Sequence, residues 1–171
     1  MSQVLQLVHA ALKRGEKGKL IDWFKCQQPI ELPDIGSTKL FKASDFQAKL
    51  SAFNQLHGWS HDQLHPCFPQ FLGLKQTIDA LLHKSSPFPL MGLVHLGNEI
   101  SIISPLANED MTINCCFSAI SVHQKGITVD VAIKARQSGQ ICLSAKSTYL
   151  YRVTSDIKDL KSSSSTQSAN A

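Results

Sequence analysis

Long apolar runs are missing from this sequence. None approaches the roughly 18 residues that a bilayer-crossing helix requires, so no membrane span is expected. No secretory leader is expected either, because Gln3, Gln6 and His9 interrupt the apolar residues between Val4 and Leu12. The five cysteines (Cys26, Cys67, Cys115, Cys116 and Cys142) are odd in number and include no C-x-x-C pair. Adjacent Cys115 and Cys116 point to opposite faces of a strand, which predicts structural thiols and no metal site. A cytoplasmic, reducing setting follows as the expectation. The net charge is +4, with Lys13, Arg14, Lys17 and Lys19 clustered near the N-terminus. No basic stripe with interleaved aromatics accompanies it, which argues against nucleic acid as a partner.

Signatures of other chemistries are equally scarce. The stretch from Gly92 to Gly97 lacks the lysine and the glycine spacing of a phosphate loop. Ser60 has no small-residue elbow around it. His57 and His61 would suit a metal only on one helix, and Gly58 opposes a helix there. No cofactor is therefore expected.

What is present is a chain of 171 residues with 43% hydrophobic content, enough for one domain whose core needs no staple. We read that domain over 1–160, followed by a serine-rich, disordered tail at 161–171. Val4, Leu5, Val8, Ala11 and Leu12 predict an amphipathic helix over 1–14. A poorly periodic stretch then runs through Trp23 and Phe24 to Pro33, with room for one short strand. Ser44 reads as an N-cap for a helix over about 45–56, carrying Phe46, Leu50 and Phe53 and stopped by Gly58. Trp59 to Pro69 reads as a loop. Phe71, Leu74, Ile78, Leu81 and Leu82 give a broad apolar face to a central helix over about 70–83.

Beyond Pro89 the period changes to two. Val94, Leu96, Ile100 and Ile102 form one row, with His95, Glu99 and Ser101 opposite. Met111 to Ala119, Ile127 to Ala135 and Ile141 to Val153 alternate in the same way, separated by the turns Lys125-Gly126 and Ser138-Gly139. The pattern predicts an α+β domain, in which an antiparallel β-meander over about 93–153 wraps around one long central helix.

Two segments carry a family resemblance. Leu64-His65-Pro66-Cys67-Phe68-Pro69-Gln70-Phe71-Leu72 resembles the loop-to-helix junction of a MaoC-like dehydratase subgroup. Pro87-Phe88-Pro89-Leu90-Met91-Gly92-Leu93-Val94-His95-Leu96 resembles the Pro-Phe-Pro and Gly-Leu-Val-His stretch after that subgroup's central helix. The likeness runs from about Phe46 to Val153. It implies the hot-dog fold, a homodimer, and (R)-specific enoyl-CoA hydratase or 3-hydroxyacyl-thioester dehydratase activity on acyl-CoA or acyl-carrier-protein thioesters. A weakly basic surface suits the phosphates of such partners.

The resemblance also implies an Asp and a His five positions apart at the start of the central helix. Here Gln70 stands where that His would be, with His65 five residues before it. A Gln can hydrogen-bond a carbonyl but cannot exchange protons near neutral pH. Asp62 and His65 offer a substitute acid–base pair, with Gln70 holding the thioester carbonyl. His95, Phe71 and Gly92 are expected to bind substrate. The same fold would also serve a non-catalytic thioester-binding or partner-binding protein, or a thioesterase.

Overall fold

The computed structural model describes residues 20–22, 24, 31–60 and 63–153. The helix expected over 1–14, Cys26, Asp62 and the tail expected at 161–171 lie outside them. In chain order come β1 (Gly36–Phe41), α1 (Ala43–His57), α2 (Phe68–Leu72), α3 (Leu74–Leu81), β2 (Leu93–Ile102), β3 (Met111–His123), β4 (Gly126–Gln137) and β5 (Gln140–Arg152). The five strands form one antiparallel sheet in the order β1-β3-β4-β5-β2.

The meander holds for β3, β4 and β5, whose inward rows face one another. Ile127, Val129, Val131, Ile133 and Ala135 pair with Tyr151, Tyr149, Ser147, Ala145 and Leu143. β2 instead crosses to the far edge and pairs with β5. β1 lies beyond the stretch where a strand was expected, as the opposite edge. At Gly126 the β3–β4 turn admits no side chain, because an added Cβ would collide with the backbone carbonyl of Tyr151.

Ser44 is not the cap of α1. The helix begins at Ala43, whose N–H donates to Asp110 Oδ1 at 2.9 Å, while Lys42 Nζ contacts Asp110 Oδ2 at 2.7 Å. A carboxylate from just before β3 thus satisfies a free donor of the first turn, and its sign suits the helix dipole. Gly58 ends the helix in a left-handed conformation, φ 62°.

The single helix expected over 70–83 is two, α2 and α3, meeting at Gly73. Hydrogen bonds still run through the junction, from Gly73 N–H to the Pro69 carbonyl (2.9 Å) and from Thr77 N–H to the Gly73 carbonyl (3.0 Å). The Gly73 carbonyl also accepts from the Thr77 hydroxyl (3.3 Å) and Cys115 Sγ (3.7 Å), and this shared acceptance accompanies a flattened ψ of −3°. Glycine permits the close approach to β3: a Cβ there would stand 3.1 Å from Ile113 Cγ2.

The core lies between these helices and the inward rows of the sheet. Phe46, Phe68, Leu81, Phe88, Ile113 and Val131 are all buried in it, joined by Leu20 and Phe24. Phe88, from the Pro-Phe-Pro segment, packs edge-on to Phe117 at 6.2 Å. Among the described residues no helix is long and apolar enough to cross a membrane.

Candidate functional site

A cleft of about 450 Å³ opens beside α2, lined by Phe53, His57, Cys67, Gln70, Phe71, Leu74, His95, Asn98 and Tyr149. Helices α1, α2 and α3 supply its apolar wall, and the β2–β5 edge supplies much of its polar floor. Three of the expected site residues, Gln70, Phe71 and His95, meet here.

The floor exists because β2 bulges. His95 pairs with Tyr149, but Gly97 pairs with Thr148, so Leu96 is an extra residue in the ladder. Without the bulge, His95 and Asn98, three apart, would point to opposite faces. With it, both join the inward row of Ser147 and Tyr149. His95 was expected opposite the core row, and this register shift is the correction. Leu96, the extra residue, is left exposed.

A chain of hydrogen bonds crosses the floor. Gln70 Nε2 donates to Ser147 Oγ (2.9 Å), and Ser147 Oγ donates to Asn98 Oδ1 (2.8 Å). Asn98 Oδ1 also lies 2.9 Å from His95 Nε2. That oxygen can only accept, so Nε2 carries the hydrogen. Ser147, 1% exposed, is the buried link. The His95 ring leans on Tyr149 at 5.1 Å, and burial raises the Tyr149 hydroxyl above its ordinary pKa.

His65 is not among the residues lining the cleft. It packs edge-on to Trp59 (4.6 Å) and Phe53 (5.4 Å) and lies 5.8 Å from the His57 ring. Its Nδ1 accepts the Cys67 N–H at 3.0 Å, which fixes the turn leading into α2. Burial, and then the neighbouring His57, hold its pKa below 6.5. Gly92, with φ 96°, sits at the turn before β2, outside the lining. Cys67, Asn98 and Ser147 went unnoticed in the sequence as site residues, and His57 was weighed only as a metal partner of His61 and set aside. The described residues hold no cluster of three or more His, Cys, Asp or Glu that could bind a metal.

No protein-family model matches the chain, and no curated protein matches it in sequence. Solved structures do. HtdX of Mycobacterium tuberculosis superposes with a TM-score of 0.58 at 18% identity, over 68% of this chain and 51% of HtdX. The chain thus spans about half the length of HtdX. The C-terminally truncated HadBC complex from the same organism, a 3R-hydroxyacyl-ACP dehydratase, gives 0.57 at 11% identity, over 70% of this chain and 97% of that one.

The chain has the hot-dog fold.

The monoamine oxidase regulatory protein of Archaeoglobus fulgidus shares it, with a TM-score of 0.52 at 12% identity over 75% of this chain and 94% of that one. At these identities the likeness is one of fold, and it is the fold that the MaoC-like resemblance implied. Within this hot-dog domain the cleft lies between the helices and the edge strand β2.

Proposed function

We propose that this chain binds acyl thioesters of coenzyme A or an acyl-carrier protein and hydrates or dehydrates them at the α2 cleft. The observation that carries the reading is the convergence of an apolar wall with a hydrogen-bonded amide in one cleft. Phe53, Phe71 and Leu74 receive the acyl chain. Gln70 has two N–H donors on Nε2, one of which Ser147 occupies. The other donates to the thioester carbonyl and stabilises the negative charge that grows on it during reaction.

The dimer belongs to this proposal. Among the described residues β2 is an edge of the sheet and carries exposed Leu96 and Ile102, with exposed Ile103 just beyond it. Pairing with a second copy would cover that edge, and light scattering on the purified protein reads the mass. A cytoplasmic location completes the proposal.

Gln70 favours a second reading, a thioester-binding protein without turnover, because an amide cannot replace the histidine that the family resemblance places there. A hydration assay separates the two. Purified protein is given crotonyl-CoA and a longer trans-2-enoyl-CoA, and loss of the conjugated thioester absorbance is followed. Turnover by the wild type supports the hydratase reading. Silence in the wild type with turnover in Gln70→His supports the binding reading on a hydratase scaffold.

A further inference from the structure

Four titratable side chains line the cleft: His57, Cys67, His95 and Tyr149. His95 is joined to Gln70 by an unbroken chain of hydrogen bonds, through Asn98 and Ser147. The Tyr149 hydroxyl also meets Ser147, but burial raises its pKa above the ordinary value and makes it a poor base. His57 commits Nδ1 to the Phe53 carbonyl at 2.8 Å and stands outside that chain. The β2 bulge at Leu96 is what turns His95 and Asn98 to the same face. The acceptor Asn98 Oδ1 sets which ring nitrogen of His95 holds the hydrogen. Nδ1 then keeps its lone pair and has no hydrogen-bond partner among the described residues.

We infer that His95 transfers the proton in this cleft and that Asn98 is the positioning residue that locks its tautomer. This rests on the hydratase reading above. In dehydration, Nδ1 takes the proton from C2 of a 3-hydroxyacyl thioester held by Gln70. The C2–H electron pair becomes the C2=C3 π bond as the C3–O bond breaks. The departing hydroxide takes that same proton from Nδ1 and leaves as water, and hydration is the reverse. One imidazole therefore serves as base and then acid, a role that the helix position, occupied by Gln70, cannot fill.

The test combines the kinetics of wild type, His95→Gln, Asn98→Asp and Asn98→Ala with ¹⁵N NMR of the histidine rings. His95→Gln should lower kcat by about 10²–10⁴-fold, with KM little changed. Asn98→Asp should stay active and move the acidic limb of the pH–rate profile to higher pH, because a carboxylate favours the imidazolium. Asn98→Ala should lower kcat and lose the Nε2–H signature that the wild type shows. Wild-type turnover that survives His95→Gln within about tenfold, or a profile unmoved in Asn98→Asp, overturns the role of His95 and leaves the hydratase reading standing. An inactive wild type overturns that reading and this role with it.

Discussion

Replacing Ser147 by alanine should loosen the cleft without emptying the core. Ser147 is 1% exposed and makes two hydrogen bonds, accepting from Gln70 at 2.9 Å and donating to Asn98 at 2.8 Å. Each contributes about 0.5–1.5 kcal/mol net, so losing both costs about 1–3 kcal/mol. The lower half of that range is favoured, because Asn98 is exposed and Gln70 half-buried, and water can reach both orphaned groups. For a chain of this size, about 1–2 kcal/mol corresponds to a fall in Tm of roughly 2–8 °C. The functional effect should be the larger one. The Gln70 amide would lose its anchor, so KM for an enoyl-CoA should rise while the thermal transition stays cooperative. Calorimetry and the hydration assay on the same preparation read both. An unchanged Tm together with unchanged KM would refute the view that Ser147 holds the amide in place.

Two further expectations concern pH. His65 has a folded pKa held below its unfolded value of 6.5, so the unfolded chain binds more protons in that window. Its contribution to stability is complete above pH 6.5 and is lost as pH falls through the folded value. His65→Gln should accordingly flatten the decline of Tm between about pH 7 and 5. Cys115 behaves oppositely: burial pushes its thiol up to about 11, so its contribution is complete below the unfolded value of 9.0 and is lost as pH rises through about 11. Tm should fall over that interval, and Cys115→Ala should reduce the slope. Buried Cys115 should also resist a thiol reagent at pH 8 under native conditions, where exposed Cys67 reacts.

How much of this was legible in the sequence depended on whether a period held. β4 keeps strict alternation from Ile127 to Ala135, and its inward row reads directly from the residues. β3 slips at Ser118, where Phe117 pairs with Val131 but Ala119 pairs with Asp130. The inward row therefore continues through Ile120 and Val122, and Ala119, expected inward, faces away. β2 slips at Leu96, with the consequence already described for His95 and Asn98. Gly97, isolated inside the β2 pattern, was a signal of the bulge there, whereas β3 carries no such residue around Ser118. β1 was missed because Gly-Ser-Thr-Lys-Leu-Phe is a mostly exposed edge strand with little apolar alternation. Gln70 was found through its place in a family-like segment. Ser147 was read only as one of an inward row, because its role depends on a partner 77 positions away.

The central claim is that the α2 cleft performs acid–base chemistry on an acyl thioester although Gln70 occupies the helix position. The measurement that reaches it most directly is the rate at which the purified wild-type chain removes the conjugated absorbance of crotonyl-CoA and a longer trans-2-enoyl-CoA. The account predicts measurable turnover that is lost in His95→Gln. Wild-type protein that binds these thioesters yet leaves their absorbance unchanged would contradict it.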